Sequence, residues 1–184
     1  MKLSIKDMIL ASLFTALTAI GAFLSIPLGH VPITLQSLFT LLSGLLLGPK
    51  LGAISQGLYV LLGLLGVRIF ANFDGGIQYI FKPSFGFLIG FIFASFMVGK
   101  LVYKKPSLGF RGFFIASLVG SLVIYLFGIP YMYLILNYVS DIEVGLLTAL
   151  KTGCLIFLPG DLLKTVVASF VGKHLANILW YNRR

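Results

Sequence analysis

Asp161 and Lys164 are the residues of this chain whose type and spacing most clearly promise chemistry. They interrupt Cys154-Leu155-Ile156-Phe157-Leu158-Pro159-Gly160 and Thr165-Val166-Val167-Ala168-Ser169-Phe170-Val171, which together make an apolar segment of membrane length. A charge at bilayer depth costs about 2.5–3.5 kcal/mol on insertion scales, so an acid and a base there require each other, a ligand or water. At i and i+3 they share one helix face and can pair. Pro159-Gly160 just upstream predicts a helix start, with Asp161 in the first turn beside backbone N–H groups that lack helical partners. Such a pair either anchors helix packing or holds a solute, and the other polar residues favour the solute.

The longest interrupted stretch, residues 66–83, supplies most of them. Arg68, Asn72, Asp74, Gln78, Tyr79 and Lys82 alternate there with Phe70, Phe73 and Phe81, and Gly75-Gly76 provides positive-φ turns. An ordinary outer loop is one reading; cationic side chains, amide donors and aromatic walls on a rigid scaffold favour a ligand-holding loop. Gln36 adds a polar group at the outer end of an apolar helix, and Gln56 and Tyr59 lie on the next one. Tyr125, Tyr131, Tyr133 and Tyr138 read as interfacial belt residues rather than ligand contacts.

Enzyme chemistry finds little support. Gly99-Lys100-Leu101 and Gly172-Lys173-His174 lack the glycine spacing with which a P-loop cradles phosphate, so the chain carries no ATPase motif of its own. His30 and His174 fall on opposite sides of the expected membrane and cannot share a metal or serve Cys154, which reads as a small buried core residue. No cofactor or metal is called for. A channel filter and inverted repeats are equally lacking.

The elements that must position these groups follow from composition. The 184 residues are 59% hydrophobic and 10% charged, with a mean hydropathy of +1.05, outside the range of soluble domains. The expectation is one all-α integral membrane domain, residues 1–184, a bundle of six helices at about 5–27, 35–48, 51–65, 83–102, 112–136 and 148–173. The first is too long for a signal-peptide core and is read as retained. The fifth is interrupted at Gly128-Ile129-Pro130, and Gly44/Gly48 and Gly86/Gly90 are spaced for close helix approach. Small residues along the first helix form two ridges, Ala11-Thr15-Ala19 and Ser12-Ala16, suited to its own bundle or to a partner helix.

Net charge +9 does not point to nucleic acid, because the basic residues punctuate apolar segments instead of forming one face. With both termini cytoplasmic, Lys2, Lys6, Lys50, Lys100, Lys104, Lys105, Arg111, Lys173, Arg183 and Arg184 all lie inside, ten of fourteen basic residues. Asp74, Asp141 and Glu143 fall in outer connections, and the exceptions Arg68, Lys82, Lys151 and Lys164 cluster toward the outside. A solute site open to the outer face is therefore expected, on the side of the connection at 28–34, which includes His30, and of the loop at 66–82.

Val31-Pro32-Ile33-Thr34-Leu35-Gln36, Leu51-Gly52-Ala53 through Gln56, Tyr59 and Gly63, Gly75-Gly76 followed by Pro83 and Gly86, and Phe157 to Lys164 together resemble the BioY family over nearly the whole chain. Members of that family are biotin-specific substrate-binding (S) components of energy-coupling factor (ECF) vitamin transporters of prokaryotes. The resemblance implies a six-helix S-component fold in the cell membrane that binds biotin from outside. It also implies partners: a transmembrane coupling protein and two ABC-type ATPases whose ATP hydrolysis topples the S component and releases biotin inside. The first-helix ridges, Ala11, Thr15 and Ala19 or Ser12 and Ala16, correspond to the family's docking surface, although the strict Ala-xxx-Ala pattern is altered here. Lys82-Pro83-Ser84-Phe85-Gly86 stands where many relatives have a run richer in Gly and Thr. For biotin, Asp161, Asn72, Gln36 and Lys164 offer partners to the ureido group, Phe73, Tyr79 and Phe81 offer walls, and Arg68, Lys82 or Lys164 meets the carboxylate. An S component for another vitamin, and autonomous biotin transport without ATPases, are the competing readings.

Overall fold

Ser4 opens the first helix with a reciprocal cap: its hydroxyl accepts the Asp7 N–H at 3.1 Å, and the Asp7 carboxylate accepts the Ser4 N–H at 3.2 Å. The computed structural model describes residues 4–27, 29, 31–140 and 142–181; His30, Asp141, Lys2, Arg183 and Arg184 lie outside the described residues. Helix α1 runs Ile5–Phe23, shorter than the sequence predicts. Pro27 explains the difference: the residue before a proline is pushed toward extended backbone, and Ser25–Ile26 (β1) instead pairs antiparallel with Ile33–Thr34 (β2).

Helices α2 (Gln36–Leu47) and α3 (Pro49–Leu64) are joined by a single residue, Gly48, at φ 82. A side chain there would be strained, and its Cβ would lie 2.6 Å from the Tyr103 ring. Two 3-10 turns, Ala71–Phe73 and Ile77–Phe81, shape the long outer connection before α4, Phe85–Val102. Gly86 and Gly90 of α4 let it lie against α5, where added Cβ atoms would come within 2.2 Å of Tyr131 and 3.0 Å of Ile124.

Helix α5, Gly109–Tyr138, is continuous, against the expected interruption at Gly128-Ile129-Pro130. Gly128 serves packing, since a Cβ would sit 2.3 Å from the Phe87 ring, and a proline is tolerated within a spanning helix when neighbours resatisfy the freed carbonyl. The last expected helix is divided. A short α6 (Leu146–Leu150) passes through a π-helical turn, Lys151–Leu155, before α7 begins at Leu158. Pro159 cannot donate to Leu155, four residues back, and its ring crowds that carbonyl, which accounts for the widened turn. Helix α7 continues to Tyr181, beyond the expected end near 173, because Trp180 is held: its indole donates to the Leu46 carbonyl at 3.1 Å and its ring meets Tyr103 and Phe113.

Segments Ile5–Phe23, Phe85–Val102, Gly109–Tyr138 and Leu146–Ala176 are each long and apolar enough to cross a membrane. Helix α2, with 12 residues, reaches only about 18 Å at 1.5 Å per residue and cannot span alone. Two apolar cores stack along the bundle. One gathers Tyr59, Phe70, Tyr79, Phe87, Phe91 and Phe157; the other holds Phe14, Leu45, Val98, Phe113 and Trp180. A buried polar cluster links four helices: Gln56 bonds Thr18, Thr40 and Ser43, and Ser43 meets Ser95 at 2.7 Å. Among the described residues no buried side-chain nitrogen or oxygen lacks a partner, as a medium without water demands.

Candidate functional site

The acid and base of α7 meet as their spacing predicts. Lys164 Nζ lies 2.8 Å from Asp161 Oδ1, with the side chains 9% and 15% exposed. Asp161 occupies the first turn of α7. Ser37 of α2 joins both: it accepts from Lys164 Nζ at 3.1 Å and donates to Asp161 Oδ1 at 3.3 Å. The remaining oxygen of Asp161 accepts the Tyr125 hydroxyl of α5. Three helices thus hold one carboxylate, with Lys164 buried and Asp161 half-buried.

This cluster forms the polar end of a cavity of about 520 Å³, part of it open to solvent. Its walls are largely aromatic and aliphatic, Phe87, Leu88, Phe91, Ile124 and Phe157, while Gln36, Ser37, Tyr79 and Ser84 supply further polar groups. A cavity with apolar walls and a few convergent polar groups suits a small organic molecule with a polar head. Beside it lies a second space of about 460 Å³, lined by Asn72, Asp74 and Lys82 and sharing Pro32, Ala71, Tyr79 and Ser84 with the first.

Of the residues singled out from sequence, Asp161, Lys164, Gln36 and Tyr79 line the first cavity, and Asn72 and Lys82 line the second. Arg68 is exposed and lines neither. Lys82 is committed to an ion pair with Asp74 and lies 5.4 Å from the centre of the Tyr79 ring. Burial alone would raise the Asp74 pKa, but the Lys82 hydrogen bond, the Gly75 amide and the charges of Lys82 and Arg68 outweigh it and hold the carboxyl below its ordinary value.

Two expected walls are corrected. Phe73 and Phe81 are each 63% exposed and line neither cavity. Phe73 instead stacks on Phe23 of α1 at 4.6 Å, directed there by positive φ at Asn72 and Phe73. Their place is taken by Phe87, Phe91 and Phe157; Phe87 and Phe91 carry no mark in the sequence beyond being apolar, whereas Phe157 opens the stretch that runs to Lys164. Tyr125 is corrected as well: it is a cavity residue bonded to Asp161, not a belt residue, whereas Tyr138 is 75% exposed.

On α1 the two small-residue ridges separate. Ala11, Thr15 and Ala19 are buried, and Thr15 donates to the Ser55 carbonyl of α3 at 2.8 Å, so this ridge is occupied inside the bundle. Ser12 and Ala16 are exposed among Ile9, Leu13 and Ile20.

The BioY family matches residues 1–180. A biotin transporter BioY of Thermotoga maritima is 41% identical over 174 residues, 94% of this chain and 97% of its own length. A probable biotin transporter BioY of Pyrococcus horikoshii is 41% identical over 170 residues, 92% of this chain and 96% of its own. In three dimensions the chain superimposes on the crystal structure of the S-component for biotin from an ECF-type ABC transporter, with a TM-score of 0.78 and 29% identity over 94% of this chain and 92% of the other.

Proposed function

The chain belongs to the BioY family, and from that premise we propose that it is the substrate-binding subunit of a vitamin importer, capturing biotin from the outer side of a prokaryotic cell membrane. One observation carries the reading: a single carboxylate, Asp161, held by Lys164, Ser37 and Tyr125 at the polar end of an aromatic cavity. Biotin's ureido ring offers two N–H donors and a carbonyl acceptor. Asp161 accepts from the former, Lys164 and Gln36 donate to the latter, and the fused ring lies among Phe87, Phe91 and Phe157. The valerate chain extends toward the second space, where Lys82 and Asn72 lie at hand for its carboxylate.

Transport requires an energy source that the chain does not carry. Coupling to an ECF transmembrane protein and two ABC-type ATPases supplies it, with the exposed Ser12–Ala16 face of α1 as the docking surface and both termini in the cytoplasm as the charge distribution favours. Uptake of labelled biotin by a biotin-auxotrophic strain tests this: it rises when the coupling protein and ATPases are co-expressed and falls on Ala16→Leu. Full uptake in cells lacking every coupling module identifies an autonomous transporter instead, and uptake of another vitamin but not biotin overturns the ligand.

A further inference from the structure

We infer that Tyr59, which lines neither cavity, is the positioning residue that fixes the orientation of the Gln36 amide and ties it to the outer loop. The inference rests on the biotin-binding reading for its affinity arm only. Tyr59 is fully buried in α3. Its hydroxyl lies 2.9 Å from the Ile69 carbonyl and 2.7 Å from Gln36 Nε2. A carbonyl can only accept, so the one proton of Tyr59 goes to Ile69, and the phenol oxygen must then accept from Gln36. The NH₂ of Gln36 is therefore turned toward Tyr59. The other end agrees, because Thr34 donates its hydroxyl proton to Gln36 Oε1 at 2.8 Å. One N–H and one lone pair of Gln36 remain uncommitted, with their handedness in the cavity set by Tyr59 and Thr34.

The same hydroxyl anchors the loop. From Ile69 the chain runs to Phe70, fully buried and packed edge-on to Tyr59 at 5.5 Å and against Tyr79 at 4.4 Å. Two residues further, Asn72 accepts from Ser25 of β1 at 3.3 Å, and Ser25 pairs across the ribbon with Thr34. Gln36, Tyr59, the 69–72 segment, Ser25 and Thr34 thus close a circuit of contacts on one side of the cavity, passing through α2, α3, the outer loop and the ribbon. Tyr59 is the member that joins the ligand-facing amide to the loop that carries Asn72, Tyr79 and Lys82.

A double-mutant cycle with local exchange tests this. Tyr59→Phe keeps the ring and removes only the hydroxyl; Gln36→Leu removes the amide and leaves Tyr59 donating to Ile69. Titrated with biotin in detergent, each single variant binds about tenfold more weakly than wild type, and the double variant binds no more weakly than Gln36→Leu. Effects that multiply overturn the positioning role. In the ligand-free protein, hydrogen exchange over residues 68–76 speeds at least tenfold in Tyr59→Phe while α4 and α5 keep their protection, and it stays within about twofold of wild type in Gln36→Leu. Unchanged exchange in Tyr59→Phe, or equal acceleration throughout the bundle, refutes the tether. If wild type itself does not bind biotin, the ligand reading falls and the exchange arm still decides the inference.

Discussion

Replacing Asp161 by asparagine keeps shape and removes charge, and the structure sets the size of the effect. The carboxylate accepts from Lys164 at 2.8 Å, from Ser37 at 3.3 Å and from Tyr125. Asparagine retains one oxygen and turns the other position into a donor, so it opposes either Tyr125 or Lys164 and loses one acceptor for the ligand. Breaking a fully buried ion pair costs about 3–5 kcal/mol. Here Ser37 Oγ remains 3.1 Å from Lys164 Nζ and both side chains keep some exposure, so the loss falls lower. A hydrogen bond to a charged group contributes about 1.5–3 kcal/mol. At about 1.4 kcal/mol per factor of ten, biotin affinity drops by roughly ten- to a hundredfold. Calorimetric titration of the purified, biotin-depleted variant measures it, and ligand-free thermal melting shows that the protein still folds. An affinity within about twofold of wild type, in a folded variant, refutes the placement of Asp161 at the ligand.

Tyr125→Phe removes one donor to the same carboxylate, a bond to a charged group of about 1.5–3 kcal/mol. Because that bond is already made before the ligand arrives, only part of it is felt in affinity, and biotin binding weakens by about two- to tenfold, or about 0.4–1.4 kcal/mol. Tyr138→Phe, at a 75% exposed position, leaves it unchanged; equal effects in the two variants sink the distinction. The Asp74–Lys82 clamp carries a pH signature. Because the folded carboxyl titrates below its ordinary 3.8, its contribution to stability is whole above that value and is lost as pH falls below it toward the folded pKa. Ligand-free melting temperature therefore declines below about pH 4 more steeply in wild type than in Asp74→Asn, and parallel profiles count against the clamp.

The site was legible where a residue violates its surroundings. Asp161 and Lys164 stand out because an apolar segment of membrane length admits charges only for cause, and their i, i+3 spacing already states that they meet. Gln36 was visible for the same reason. Tyr125 was not, since a tyrosine facing a cavity and one at the lipid interface have the same composition around them; only the approach of α5 to α7 tells them apart. Phe73 misled through its backbone: positive φ at a bulky residue is rare, and it turns the ring onto Phe23. The ridges of α1 were both readable, but which one the bundle consumes depends on where α3 lies, and Thr15 bonding to Ser55 decides it. Helix ends shifted wherever a proline acted at a distance, Pro27 on α1 and Pro159 on the turn before α7.

The most direct measurement is isothermal titration of the purified, biotin-depleted wild-type protein in detergent with biotin, followed by thiamine and riboflavin. Tight one-to-one binding of biotin with no heat from the other two is the predicted result. Absence of biotin binding, or tighter binding of thiamine or riboflavin, contradicts the proposed ligand while leaving the fold and family membership in place.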